Sequence, residues 1–197
     1  MNITYGERDY LNGISRKISE FRNFLNGSHL PESIEPVGNW YRYLSQLKRI
    51  LGNLDNDISF VACLMAKQYL MKTHSIRWID VSSKPQSAPG PDIDVSTTEG
   101  QRVTAEVKTT IAYGESDLGA QQKKTFLENF RKLREAKAEH KYFFLTERKT
   151  FEIVKRKYYP DHLPNVTVVM LPEGLVDSDY VLPPRSPGSY EGRELGY

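Results

Sequence analysis

The residues of this chain best suited to chemistry lie in two short runs. Pro91-Asp92-Ile93-Asp94 comes first, and Glu106-Val107-Lys108 follows, with Glu106 fourteen residues after Asp92. Both runs sit in stretches that alternate polar and apolar, Asp92 to Thr98 and Gln101 to Thr110, with a tight-turn signal at Glu99-Gly100. Residues two apart on a strand share a face. Glu106 and Lys108 therefore point one way while Val103, Ala105 and Val107 point into a core, and Asp92 shares a face with Asp94. A hairpin about Glu99-Gly100 brings Asp92 to the Glu106/Lys108 end of its partner. Two carboxylates and an ammonium then meet at a sheet edge.

That set suits phosphodiester hydrolysis. Mg²⁺ takes a few carboxylates and keeps waters for substrate phosphate oxygens. Asp92 and Glu106 offer hard oxygen ligands, the Val107 carbonyl offers a third, and Lys108 can position water or stabilise charge on the phosphorus. Mn²⁺ is expected to substitute. Taken singly, Glu106 and Lys108 read as an ion pair on an edge strand, and Pro91-Asp92 as a strand-entry turn. Neither explains why all three gather at one end of one hairpin.

The elements that must hold this hairpin follow from periodicity. Tyr10, Ile14, Ile18, Phe21 and Leu25 recur at helical spacing, as do Trp40, Tyr43, Leu44, Leu47, Ile50 and Leu51. A third helix is capped by Asp55 or Asp57 and is apolar nearly all round, so it is expected to be buried. Arg77 to Val81 reads as a short strand, Ser82 to Gly90 as a loop. A long helix is expected from about Asp117, a strand over Tyr142 to Leu145, a helix over Thr150 to Tyr158 and a strand over Val166 to Leu171. The expected class is α/β, a mixed sheet flanked by helices that begins as a three-stranded meander and continues through crossover units. The organisation reads as an N-terminal helical extension over 1–54, a core over 55–172 and a Pro/Gly-rich arm over 173–197.

Pro91-Asp92 followed by Glu106-Val107-Lys108, in this order of elements, resembles the PD-(D/E)XK nuclease signature, and the whole looks closest to type II restriction endonucleases. The resemblance implies a restriction-endonuclease-like core in which Asp92 and Glu106 bind Mg²⁺ and Lys108 serves hydrolysis of double-stranded DNA. Many members add an acidic residue from the helix before the sheet, for which Asp57 is the best candidate and Asp55 the next. Some carry a Gln or Lys in the helix after the third strand. Gln121, Gln122, Lys123 and Lys124 offer that chemistry, with Gln122 preferred. A homodimer is expected, because one such site cuts one strand of a duplex. The same chemistry also fits a repair or junction-resolving nuclease, and the same fold a DNA-binding module that does not cut.

Charge points the same way. The net charge is +2, but Gln121 to Lys157 holds 12 Lys/Arg against 5 Asp/Glu, a distribution suited to a polyanion. Lys123, Lys124 and Arg131 are candidate phosphate contacts, and Thr109, Thr110 and Tyr113 candidate phosphate or base contacts. Gly114 to Gly119 lacks the Lys-Ser/Thr ending and spacing of a nucleotide loop, so no nucleotide cofactor is expected. The four histidines show no metal-ligand spacing. Cys63 lies in an apolar stretch and reads as a buried small hydrophobe, which with the absence of a signal segment places the expected protein in the cytoplasm. No apolar run reaches membrane-spanning length.

Overall fold

The computed structural model describes residues 2–34, 36–84 and 88–185. The chain divides into two compact units, one over residues 2–58 and the other from Ser59 onward. The first contains α1 (Tyr5–Gly27), α2 (Val37–Leu51) and the first turn of α3 (Leu54–Thr73). A capping box starts α1: Thr4 Oγ1 accepts from Glu7 N (3.1 Å) and Glu7 Oε2 accepts from Thr4 N (2.9 Å), satisfying two amide hydrogens that a helix start leaves over. Gly52, at φ +60°, ends α2, a conformation that glycine adopts without Cβ strain. Phe24 and Tyr43 meet between α1 and α2 with ring centroids 5.0 Å apart. The buried residues described in this unit are Thr4, Glu7 and Asp57, all polar.

The second unit is built on a five-stranded mixed sheet among the described residues. Its strands are β1 (Ile93–Ser96), β2 (Arg102–Lys108), β3 (His140–Leu145), β4 (Thr167–Met170) and β5 (Val181–Leu182), in that spatial order. The outer pairs, β1/β2 and β4/β5, are antiparallel, and the inner pairs are parallel. The parallel steps need crossovers, supplied by α4 (Ala120–Glu135) between β2 and β3, and by α5 (Arg148–Lys157) and α6 (Tyr159–His162) between β3 and β4.

Each face of the sheet has its own core. On one, the small Ala62 and Ala66 of α3 and its Leu70 join Ile93, Val103, Ala105 and Val107. On the other, Phe126, Phe130 and Leu133 of α4 and Phe151 and Val154 of α5 cover Phe143, Leu145, Val168 and Met170. Phe143 sits edge-on to Phe126 and Phe130, at 5.7 and 5.0 Å, a geometry aromatic quadrupoles favour. Two-sided burial explains why β3 and β4 read as continuous apolar runs while β1 alternates.

The structure departs from the expected elements in four places. Asn53, rather than Asp55 or Asp57, caps α3: its Oδ1 accepts from Asn56 N at 3.2 Å, and both aspartates lie inside the helix. Arg77 to Val81 forms no strand. Asp80 instead folds the chain into a turn, its Oδ1 accepting from Ser82 N (2.9 Å) and Ser82 Oγ (2.6 Å), a local bond that competes with ladder pairing. The sheet thus opens with a hairpin rather than a three-stranded meander. The helix expected from Asp117 begins at Ala120, because Gly119 is extended and Asp117 Oδ1 accepts from Leu118 N. The tail read as an arm is folded over Glu173–Leu175 and Ser178–Tyr180, two 3₁₀ turns, before β5 closes on β4. Pro172 precedes the first of these turns and Gly174 lies within it; residues 186–197 lie outside the described residues.

At the sheet end where β2 and β3 begin, His74 Nε2 lies 2.6 Å from the Tyr142 hydroxyl, and the His74 and His140 rings face each other at 4.3 Å. Burial first, and His140 second, hold the His74 imidazole below its ordinary pKa. A folded pKa below the unfolded one means that the unfolded chain takes up the proton more readily. Stability from neutral His74 is therefore complete above the unfolded value of about 6.5 and declines as pH falls towards the folded value. Urea midpoints measured at pH 7.5 and 5.5 should show this loss in the native protein. It should shrink in His74→Gln; an equal loss in the variant would place the titration elsewhere.

Candidate active site

The β1/β2 hairpin sets the geometry. Its turn is closed by Thr97, whose backbone pairs with Gln101 and whose Oγ1 accepts from Glu99 N and Gln101 N, while Gly100 takes φ +84°. Register then runs Ser96↔Arg102, Val95↔Val103, Asp94↔Thr104 and Ile93↔Ala105. Continued by one residue, it sets Asp92 opposite Glu106. β1 has no ladder partner to offer there, and the Asp92 side chain takes that place: its Oδ2 accepts from Val107 N at 2.8 Å. A strand residue presents N–H and C=O to the same side. The Val107 carbonyl therefore faces the edge occupied by Asp92.

Lys108 completes the cluster. Its Nζ lies 2.9 Å from Glu106 Oε2 and 3.8 Å from Asp92 Oδ2. Asp92, Glu106 and Lys108 are thus gathered at one place, as the spacing anticipated. Glu106 is 6% exposed, and its carboxyl is held above the usual range by burial, with Lys108 acting against the shift and Asp92 adding to it. Lys132 of α4 is a second, weaker opposing charge. Asp94 is not part of the cluster, because Arg102 grips its carboxylate through two bonds of 2.8 and 2.6 Å.

The donor set fits a hard divalent cation. Two carboxylates share one corner with a backbone carbonyl, and one of them is buried against its preference for water. A cation in reach of both would offset their mutual repulsion and the desolvation of Glu106. Among the described residues, no group of three or more His, Cys, Asp or Glu side chains is placed to hold a metal. A site here would rest on two carboxylates, the Val107 carbonyl and ligands from outside the chain.

Two expected members have other partners. The Asp57 carboxylate is engaged within the N-terminal unit, by Lys17 Nζ (2.8 and 3.1 Å) and the Tyr10 hydroxyl (3.2 Å). Gln122 is engaged by the loop after β2: its Oε1 accepts from Tyr113 N and Gly119 N, and its Nε2 donates to Ile111 O. Its carboxamide holds this loop rather than reaching for a substrate. Buried Thr150 clamps the same loop, donating to Thr110 O (2.7 Å) and accepting from Ala112 N (2.9 Å). Asp117 ties it to α5 through Lys157 (3.1 Å) and the Tyr158 hydroxyl (2.5 Å); that hydroxyl above all lowers the Asp117 pKa to about 2.

Of the candidate DNA contacts, Tyr113 is 83% exposed, and Lys124 is exposed. Lys123 lies 3.9 Å from Asp117 and over the Tyr158 ring, and Arg131 pairs with Glu135 in the surface of α4. Thr109 Oγ1 lies 3.4 Å from Ser59 Oγ on α3. Sequence reasoning missed two groups that act on the cluster, and a buried asparagine on α4. Cys63 of α3 feels Asp92, Lys108 and Glu106. Lys132 acts on Glu106. Asn129 shares the flank of α4 with Lys132, three residues on, and its buried Nδ2 has no hydrogen-bond partner. An asparagine inside the Phe126/Phe130/Leu133 stripe was the legible signal for the last.

Compared with protein-family models, with curated proteins and with solved structures, the chain finds no match. Its own geometry is therefore the ground for a functional reading.

Burial, and then the charge of Asp92, push the Cys63 thiol up to about 12. At pH 8 the folded protein should therefore react with iodoacetamide on the order of a thousandfold more slowly than the urea-unfolded chain, since each pKa unit above the free value cuts the thiolate tenfold. Equal rates would show that the thiol lies outside this carboxylate-rich corner.

Proposed function

We propose that this chain is a Mg²⁺-dependent endonuclease hydrolysing phosphodiester bonds of double-stranded DNA, of the type II restriction kind, on a PD-(D/E)XK core over residues 55–172. The observation that carries this reading is the meeting of Asp92, Glu106 and Lys108 at the open end of the β1/β2 hairpin. An ordinary surface ion pair needs one carboxylate; here two flank one ammonium, and one of the two is buried.

In this reading Asp92, Glu106 and the Val107 carbonyl hold the cation, for which Mn²⁺ would also serve. Bound there, the ion supplies Lewis-acid polarisation of the phosphate and a more acidic water. Lys108 brings a positive charge to the phosphate oxygens, where negative charge grows during attack. Asp92 also fixes the Val107 backbone, so its position does not depend on the cation. The basic stretch carrying Lys123, Lys124 and Arg131 fits contacts to the DNA backbone, and the clamped loop over 109–119 holds Thr109, Thr110 and Tyr113 next to Lys108.

A homodimer would present two such sites to the two strands of a duplex. The N-terminal unit supports this. It has seven basic and seven acidic residues over 2–58, so it has no charge bias towards a polyanion. It also leaves Ile18, Leu25, Val37, Tyr41 and Leu44 exposed. Apolar helix faces without net charge suit a second copy of the same unit. No helix among the described residues is long and apolar enough to cross a membrane.

Incubation of the purified chain with plasmid and phage DNA should give discrete fragments in Mg²⁺ or Mn²⁺ and none in EDTA. Asp92→Ala and Lys108→Ala should each slow cleavage at least about a hundredfold, the usual effect of removing one group that stabilises the transition state, with circular dichroism unchanged. Full cutting by either variant would place the active site elsewhere. Preferential cutting of branched DNA would favour a junction-resolving role.

Sedimentation should give twice the chain mass of 22.7 kDa, reduced to one chain by Tyr41→Glu with Leu44→Glu. A monomeric native protein would remove the dimer from this reading.

A further inference from the structure

Asp92 has a second neighbourhood. β1 is the first strand of the sheet, and among the described residues its outer edge has no ladder partner. Along that edge lies a cavity of about 470 Å³ between the segment from Trp78 to Lys84 and the segment from Pro89 to Val95, within the size range of small-ligand sites. Lys84 Nζ spans its floor, donating to the carbonyls of Gly90 (2.9 Å) and Pro91. Trp78 lines it yet remains 63% exposed. A tryptophan that lines a cavity with its ring still open to solvent offers a large flat apolar face to a ligand. Val81, Val95 and Asp92 line the same cavity.

We infer that this cavity takes a nucleobase of the DNA strand being cut, unstacked from its neighbours and laid on the Trp78 indole. The choice of ligand rests on the nuclease reading and names the substrate feature next to the cut. A base presents a flat apolar face and a polar rim, and the wall matches both. Trp78 supplies the stacking surface, and Lys84 supplies a positive charge near the nucleotide's phosphate. Of the other two carboxylates in the wall, Asp94 is paired with Arg102, and Asp80 is turned to Ser82, its Oδ1 accepting from that residue's N and Oγ. A buried aliphatic ligand would need neither the ammonium nor the open polar rim. The base next to the scissile phosphate must leave the stack to enter, so an unpaired base there is favoured over a paired one.

The test uses the full chain carrying Trp40→Phe, which leaves Trp78 as its one tryptophan. Its emission is followed during titration with dAMP, a thymidine pentanucleotide, the same pentanucleotide with an abasic central position, and deoxyribose 5-phosphate, all with Ca²⁺ present. dAMP and the intact pentanucleotide should quench saturably, the abasic one should bind about tenfold or more weakly, and the sugar phosphate should not quench. Stacking on one aromatic side chain corresponds to roughly that factor. By anisotropy of a labelled pentanucleotide, Trp78→Ala should lose a similar factor, whereas Trp78→Phe should lose roughly threefold or less. Unchanged emission, or equal quenching by the sugar phosphate, would overturn the base site, and DNA cleavage measured beside it would show the nuclease reading standing without it. Quenching as expected in a protein that cuts no DNA with any divalent ion would sustain the base site and overturn the nuclease reading.

Discussion

The bond from Val107 N–H to the Asp92 carboxylate is the contact on which the candidate site depends. A strand that ends before its partner leaves a backbone amide exposed at the edge, and such a group needs an acceptor. Asp92 provides it from the residue just before β1. The bond therefore does two things at once. It ends the hairpin ladder cleanly, and it holds a carboxylate opposite Glu106, within 3.8 Å of the Lys108 ammonium. Without it, Asp92 would be a charged residue at a loop end, free to turn to solvent.

The sheet supplies the other half of the constraint. Val103, Ala105 and Val107 are buried against α3, and alternation along β2 then forces Thr104, Glu106 and Lys108 to the opposite face. Burial of the apolar residues is what makes this placement firm: slipping the register by one residue would put Glu106 and Lys108 in the α3 core. Glu106 is consequently held where its charged form is disfavoured, beside the Lys108 ammonium that chiefly relieves it. In the proposed reading this is where a cation would bind. The cluster contains more negative charge than one lysine balances, at a point the fold does not let it leave.

Around the cluster the fold is over-determined. The loop that leaves β2 is fastened by Thr150, Gln122 and Asp117, residues from two different helices and from the loop itself. That fastening explains why Gln122 is better understood as a brace than as a group of the site. The N-terminal unit is built differently. A capping box opens α1 and Gly52 ends α2, but the buried residues of this unit are polar and its apolar residues are half-buried or exposed.

Much of this was legible in the sequence by itself. Alternation at 92–98 and 101–110, broken by Glu99-Gly100, determined the hairpin; pairing two strands about one turn leaves little freedom in which residues stand opposite. The apolar runs at 142–145 and 166–171 determined the inner strands, since only two-sided burial tolerates such composition. Only the tertiary structure decided the rest. Arg77 to Val81 has the composition of a strand, but a local bond at Asp80 removed it from the sheet, and periodicity does not weigh such competition. Val181 and Leu182 are too short a run to signal a strand, and they become one because β4 offers an edge. Asp57 and Gln122 have suitable chemistry, but their partners, Lys17 and the Ile111–Gly119 loop, are set by packing across many residues. The approach of Cys63 and Lys132 to the carboxylates, and the cavity beside Trp78, likewise come from helices and loops meeting in space, which spacing along a chain does not specify.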